Sequence, residues 1–174
     1  LVLSAAWTND TTRADALGVQ SGIIVKSGTA AYRWVGTIRA SGSNVTEDSS
    51  SNRYVWNAYN RVTRTVEDTF NNSAGHTYTT GAWREWNAGT NVTRRTFLVG
   101  QITTVAAGGF ANAYGSATGV GIGLGMNETA APTFQSAFPN LAVGPQRTID
   151  AVGFKPCVLG YNYLTPVEFG GTTG

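Results

Sequence analysis

Along most of this chain, hydrophobic and polar residues alternate in short runs, and apolar positions seldom recur at the three- and four-residue spacing of an amphipathic helix. The run Tyr32-Arg33-Trp34-Val35-Gly36-Thr37-Ile38-Arg39 sets Tyr32, Trp34, Gly36 and Ile38 on one face and Arg33, Val35, Thr37 and Arg39 on the other. That mixed period-2 pattern predicts a half-exposed strand. Arg61-Val62-Thr63-Arg64-Thr65-Val66 interleaves Arg and Thr with Val, a clear strand signal. Further strands are expected over residues 1–7, within 18–26 around Ile23-Ile24-Val25, over 77–80, 93–105 (the longest β-type run, ended by Gly108-Gly109), 119–126, 146–154 and 158–169. Turn signals stand between them at 8–11, Ser27-Gly28-Thr29 and 71–75, and the Ser-rich stretch 40–52 predicts a loop.

Two segments carry more than a simple period. Residues 53–60 fit a short helix, through Val55, Tyr59 and Val62, and equally a strand, through Tyr54, Trp56 and Ala58. The reading adopted is a distorted turn or short helix entering the strand at 61–66. Gly119-Val120-Gly121-Ile122-Gly123-Leu124-Gly125-Met126 alternates glycine with apolar residues, so one strand face bears no side chains. A neighbouring backbone or aromatic ring is expected to press on that face. About nine or ten short strands between turn signals predict an all-β domain, an antiparallel β-sandwich of jelly-roll type with at most one or two short helices.

Composition agrees. Thr, Gly, Asn and Ser fill about two fifths of the 174 residues, charged residues are 13%, and ten of the twelve basic residues are Arg. This excludes a helical bundle, a coiled coil and a charge-driven disordered chain. The length fits a single domain spanning 1–174. The opening Leu1-Val2-Leu3 and the closing Gly170-Gly171-Thr172-Thr173-Gly174 read as cut ends of a longer polypeptide. A net charge of +2, with no basic run longer than Arg94-Arg95, gives no basic face for nucleic acid. No apolar stretch is long enough for a membrane-spanning helix, so no membrane insertion is expected. The single cysteine, Cys157, lies in an apolar setting and reads as a buried, inert thiol. Sequons at Asn9, Asn44, Asn71, Asn91 and Asn127 are what chance yields in a chain so rich in Asn and Thr.

Catalytic chemistry finds little footing. His76 is the only histidine, and no Cys/His cluster, EF-hand loop or nucleophile elbow accompanies it, so neither a metal nor a cofactor is expected. The glycines at 119–125 lack the Lys-Ser/Thr ending of a phosphate loop. Glu47-Asp48, Glu67-Asp68 and Glu85 are the acids that a glycoside hydrolase would use. Adjacent acids on a strand point to opposite faces, however, so solvated strand-end charges are the better reading. The stretch Trp83-Arg84-Glu85-Trp86 is the best ligand-binding candidate, because indoles stack on sugar rings while Arg and Glu hydrogen-bond hydroxyls. The competing reading, which is favoured, has the two indoles clamp the loop to the core or to a neighbouring subunit.

The segments Tyr32-Arg33-Trp34-Val35-Gly36-Thr37-Ile38-Arg39, Thr46-Glu47-Asp48-Ser49 and Asn52-Arg53-Tyr54-Val55-Trp56-Asn57-Ala58-Tyr59-Asn60-Arg61-Val62 together resemble a module of virion fibre and spike proteins from tailed bacteriophages and prophage-like particles. Trp7-Thr8-Asn9, Arg13, Val25-Lys26-Ser27-Gly28, Gly160-Tyr161-Asn162-Tyr163 and Glu168-Phe169-Gly170-Gly171 extend the likeness over most of the chain. Trp34-Val35 and Tyr54 depart from the usual residues while keeping their class. The resemblance implies a non-enzymatic virion structural protein, a fibre or spike on tail or head, with host attachment as its role. Its implied partners are copies of itself in a homotrimer, other virion proteins and a host surface glycan. A head-decoration or capsid-associated protein and a carbohydrate-binding module are the alternative readings. Glu47 and Asp48, beside Arg53 and Arg61, are then expected to order a turn through charge-assisted hydrogen bonds. Small-residue strands such as 119–125 would let neighbouring subunits approach closely.

Overall fold

A computed structural model describes residues 2–67, 78–88, 94–101, 105–113, 120–138 and 147–170. Among them the protein is β-structured, with antiparallel sheets, fifteen strands and a single 3-10 turn over Trp86–Ala88. The all-β expectation holds. The pairings among the described residues do not trace the two interlocked Greek keys of a jelly roll. Within the 174 residues, contacts gather the chain into two compact units, each built from three stretches.

Unit 1 comprises Leu1–Val66, Thr96–Thr104 and Cys157–Asn162. Strands β1 (Leu17–Gln20), β2 (Ile23–Lys26) and β3 (Thr29–Arg33) form a meander. Gln20 pairs with Ile23 across Ser21-Gly22, and both turn residues have positive φ (50° and 77°), the tight hairpin turn that matches strand twist. Strand β4 (Gly36–Ile38) pairs with β8 (Val55–Asn57), and the small β5 (Ala40–Gly42) pairs with β6 (Val45–Thr46). Strand β7 (Asn52–Arg53) runs parallel to β10 (Arg95–Val99) at Thr96 and Phe97. The run 32–39 is therefore not one strand. The Trp34 amide bonds to Ile24 and the next carbonyl, Val35, accepts from Ala58, so the chain changes sheet at that point.

Other expectations in this unit shift as well. Residues 2–7 form no strand, the loop 40–52 holds a miniature hairpin, and 53–60 supplies strands rather than a helix. Residues 61–66 carry no strand pairing, despite their sequence. Val25, Leu98, Val99 and Cys157 are buried, the cysteine as expected. Asn162 is also fully buried, and its amide is matched: Oδ1 accepts the Val158 N–H, while Nδ2 donates to the Val158 and Gly160 carbonyls.

Unit 2 comprises Glu67–Arg95, Val105–Pro156 and Tyr163–Gly174. Strand β12 (Val120–Met126) lies between β13 (Phe134–Phe138) and β15 (Gly160–Gly170), both antiparallel to it, and β9 (Trp83–Glu85) pairs antiparallel with the end of β15. Strands β11 (Val105–Ala113) and β14 (Arg147–Pro156) form a long ribbon, bulged between Ala111 and Ala113. Gly108-Gly109 does not end a strand: it sits inside β11, with Gly108 opposite Gly153. The expected strand 93–105 is instead split, with β10 stopping at Val99. Residues 78–80 form no strand, although the Thr80 carbonyl accepts from the Gly170 N–H, and Thr77 lies outside the described residues. The ribbon covers the sheet: Ile122 and Ala151 share a buried cluster with Trp86 and Val120, and the Phe134 ring packs onto Gly153.

The glycine face of β12 is pressed upon as its sequence requires. A Cβ on Gly121 would sit 2.8 Å from Cη2 of Trp83, and one on Gly123 would sit 2.7 Å from the Phe134 carbonyl oxygen. That face is filled by the protein's own chain, which corrects the expectation that it offers close approach to a neighbouring subunit.

Candidate functional site

The stretch Trp83-Arg84-Glu85-Trp86 is positioned by pairing with β15. The register sets Trp83 opposite Phe169, Arg84 opposite Glu168 and Glu85 opposite Val167. Directly opposed residues share a face, so the strand sorts its side chains by alternation. On one face Trp83 meets Phe169 at 5.5 Å between ring centroids, tilted by 46°, over Gly121. On the other face Arg84 reaches Glu168, whose residue is only 6% exposed. Arg84 Nε and Nη2 both lie 2.8 Å from Glu168 Oε1, and the Asn87 N–H donates to the same oxygen at 3.0 Å. The Arg84 guanidinium also stacks over Tyr78 at 3.6 Å.

Glu85 accepts from Arg94 Nε at 2.6 Å, and the Arg94 guanidinium lies over Tyr163. Trp86 opens the 3-10 turn and packs against Ile122 and Ala151. Both indoles are half-buried, and each is held by a different part of unit 2. Each therefore has its own intramolecular contacts, Trp83 with Phe169 and Trp86 with Ile122 and Ala151. Asn87 and Ala88, which close the turn, have φ of 56° and 51°, a left-handed pair. Alanine pays a steric cost there that glycine does not. Ala88→Gly is therefore expected to raise stability by about 0.5–1 kcal/mol in a denaturant titration.

Of the acids considered for hydrolysis, Glu47 and Asp48 are engaged locally, as Glu85 is by Arg94. Glu47 Oε1 accepts from the Ser49 hydroxyl at 2.5 Å and from Asn52 Nδ2 at 3.0 Å, while Arg53 faces Asp48 at 3.5 Å. The turn is thus ordered through Glu47 and Asp48 as expected, though chiefly by neutral donors. Arg61 lies over Trp56 and donates to Gln101. Asp68 and His76 lie outside the described residues, as do the sequons at Asn71 and Asn91. Among the described residues no group of three or more His, Cys, Asp or Glu is placed to hold a metal ion. No helix among them is long and apolar enough to cross a membrane.

The Ser49 and Asn52 hydrogen bonds hold the Glu47 carboxyl below its ordinary range. A carboxyl depressed on folding adds stability above its unfolded pKa and loses it as pH falls through the folded value. Ser49→Ala is accordingly expected to make acid unfolding begin at higher pH, measured by fluorescence along a pH titration.

Arginines and aromatic residues of segments 7–13, 32–39, 54–61 and 160–161 stack on one another in unit 1. The Arg13 guanidinium sits between Trp7 (4.6 Å) and Trp34 (4.9 Å), and donates to Thr37 Oγ1 and the Gly100 carbonyl. Arg39 lies over Tyr161 at 4.0 Å, Tyr161 is 6.4 Å from Tyr54, and Trp56 packs onto Gly100. Gly160, at φ 93°, brings the chain against Trp7 and the Asp10 carbonyl, where a Cβ would collide. Arg33 stacks on Tyr59 at 4.3 Å. Guanidinium–aromatic stacks do here what aliphatic contacts do in a larger core. Glu168 was not singled out as a partner for Arg84; the available signal was one acid inside the apolar run Val167-Glu168-Phe169. Comparison of the chain with protein-family models, with curated proteins and with solved structures finds no match.

Proposed function

We propose that the chain is a non-enzymatic structural protein of a tailed-phage virion, a fibre or spike that works as a homotrimer alongside other virion proteins and serves host attachment. The observation that carries this reading is the mutual contact of the residues behind the resemblance. Arg13 lies over Trp7 and Trp34, Arg39 lies over Tyr161 beside Tyr54, and Arg61 lies over Trp56. That is the use a rigid appendage makes of such residues, and it needs no reacting group. The clamp at Trp83 and Trp86 serves the same end in unit 2.

Particles purified from the source of this sequence test the proposal by quantitative mass spectrometry. The chain is expected in fixed stoichiometry, in multiples of three copies per particle. Its absence from particles, with free-chain binding on a glycan array, would favour a carbohydrate-binding module. Copy numbers in the hundreds would favour head decoration.

A further inference from the structure

The clearest strand signal in the sequence falls on residues with no strand partner. Residues 61–67 carry no turn, bend or pairing, and positions 61–65 are exposed, Val62 by 54%. β-branched residues favour extended chain because they pack within sheets. A segment of Val and Thr without a strand partner offers an open edge when it extends.

Its two edges differ. The Thr65 carbonyl accepts from Arg53 Nε and the Glu67 carbonyl from Arg95 Nε, each at 3.1 Å. Backbone groups two residues apart in an extended chain point the same way, so the chain's own arginines hold the odd-numbered edge. In an extended segment Val62, Arg64 and Val66 would present their N–H and C=O on the other edge, and none of the three has a backbone hydrogen bond to a described residue.

The sequence specifies what fits that edge. Val62-Thr63-Arg64-Thr65-Val66 is a palindrome, flanked by Arg61 on one side and Glu67 on the other. We propose that this edge pairs antiparallel, about a two-fold axis through Arg64, with the same segment of a second copy of the chain. Val62 then faces Val66, Thr63 faces Thr65, and Arg61 faces Glu67, each pair occurring twice. The hydrogen-bonded pairs fall on Val62–Val66 and Arg64–Arg64, the residues whose backbone is open. Opposed Val, Thr and opposite-charge pairs are all favourable across antiparallel strands. Arg61 keeps its contact with Gln101 while the copy's Glu67 offers a further acceptor, since a guanidinium has five donors. The two Arg64 side chains at the axis are the one repulsive element.

This contact goes beyond the proposed function, because a threefold axis does not generate it. It joins one trimer to another, or two single chains. Sedimentation velocity of the full chain across a concentration series tests it, alongside the Arg64→Pro, Arg64→Thr and Glu67→Arg variants. Proline keeps the chain extended but removes the central N–H. The parent is expected to interconvert with a species holding twice as many chains. Arg64→Pro and Glu67→Arg are expected to weaken that doubling at least tenfold, and Arg64→Thr to tighten it at least threefold. Melting curves identify which variants are folded, and Glu67→Arg carries the test if Arg64→Pro is not. A parent that never doubles, or folded weakening variants that double like the parent, would overturn the proposal. Doubling is scored against the smaller species whatever its copy number, so failure of the trimer leaves this result readable.

Discussion

Trp83→Ala and Trp86→Ala are each expected to cost about 3 kcal/mol or more of stability, because each opens a cavity that its neighbours cannot collapse to fill. For a chain of this size that lowers the melting temperature on the order of 10 °C. The Trp83 indole covers Gly121 and packs against Phe169, and the strand below it has no side chain to move into the space. Trp86 closes over Ile122 and Ala151, which are almost wholly buried. Trp83→Phe retains part of the ring contact and is expected to recover about half of the loss. Differential scanning calorimetry reads all three. Curves for the alanine variants that overlay the parent would mean that the indoles are not a clamp, and would return Trp83 and Trp86 to the role of ligand platform.

The second large effect lies on the opposite face of the same strand. Arg84→Met is expected to cost about 2–4 kcal/mol, since it takes the guanidinium away from the Glu168 carboxylate in a nearly dry site. The Arg84 side chain is itself about one third exposed, which keeps the effect below that of a fully buried pair. Removing both charges in Arg84→Met/Glu168→Leu is expected to cost less than Arg84→Met alone, because the buried carboxylate goes with its guanidinium. Equal losses in the single and double variants, measured by urea unfolding, would show that packing of the arginine stem over Tyr78 matters more than the ion pair.

How far the sequence discloses this fold depends on whether the signal is local. Val120–Met126 was legible: a strand with one bare face demands something pressed against it, and Trp83 with the Phe134 backbone supplies it. Ser27-Gly28-Thr29 was legible as a hairpin turn for the same reason, since Gly28 takes a positive φ. The run 32–39 was not, because period 2 continues unbroken while the chain leaves one sheet for another, and only the identity of distant partners reveals that. Strand β13, Phe134–Phe138, escaped notice since its inner positions are interrupted by Gln135, Ser136 and Ala137. At the candidate site, two tryptophans in four residues marked a place that must be covered. Which side each indole faces follows from the register with β15, a pairing across more than eighty residues that no local pattern encodes. Arg39 and Tyr161 stack across a still longer separation, and the sequence shows them only as two members of one resemblance.

The reading of this chain as a virion appendage is tested most directly by electron microscopy of intact particles bearing a gold or protein label on the chain. Label confined to projecting appendages, in threefold clusters, is the predicted result. Particles that bind no label, while the chain is recovered elsewhere in the same preparation, would contradict it.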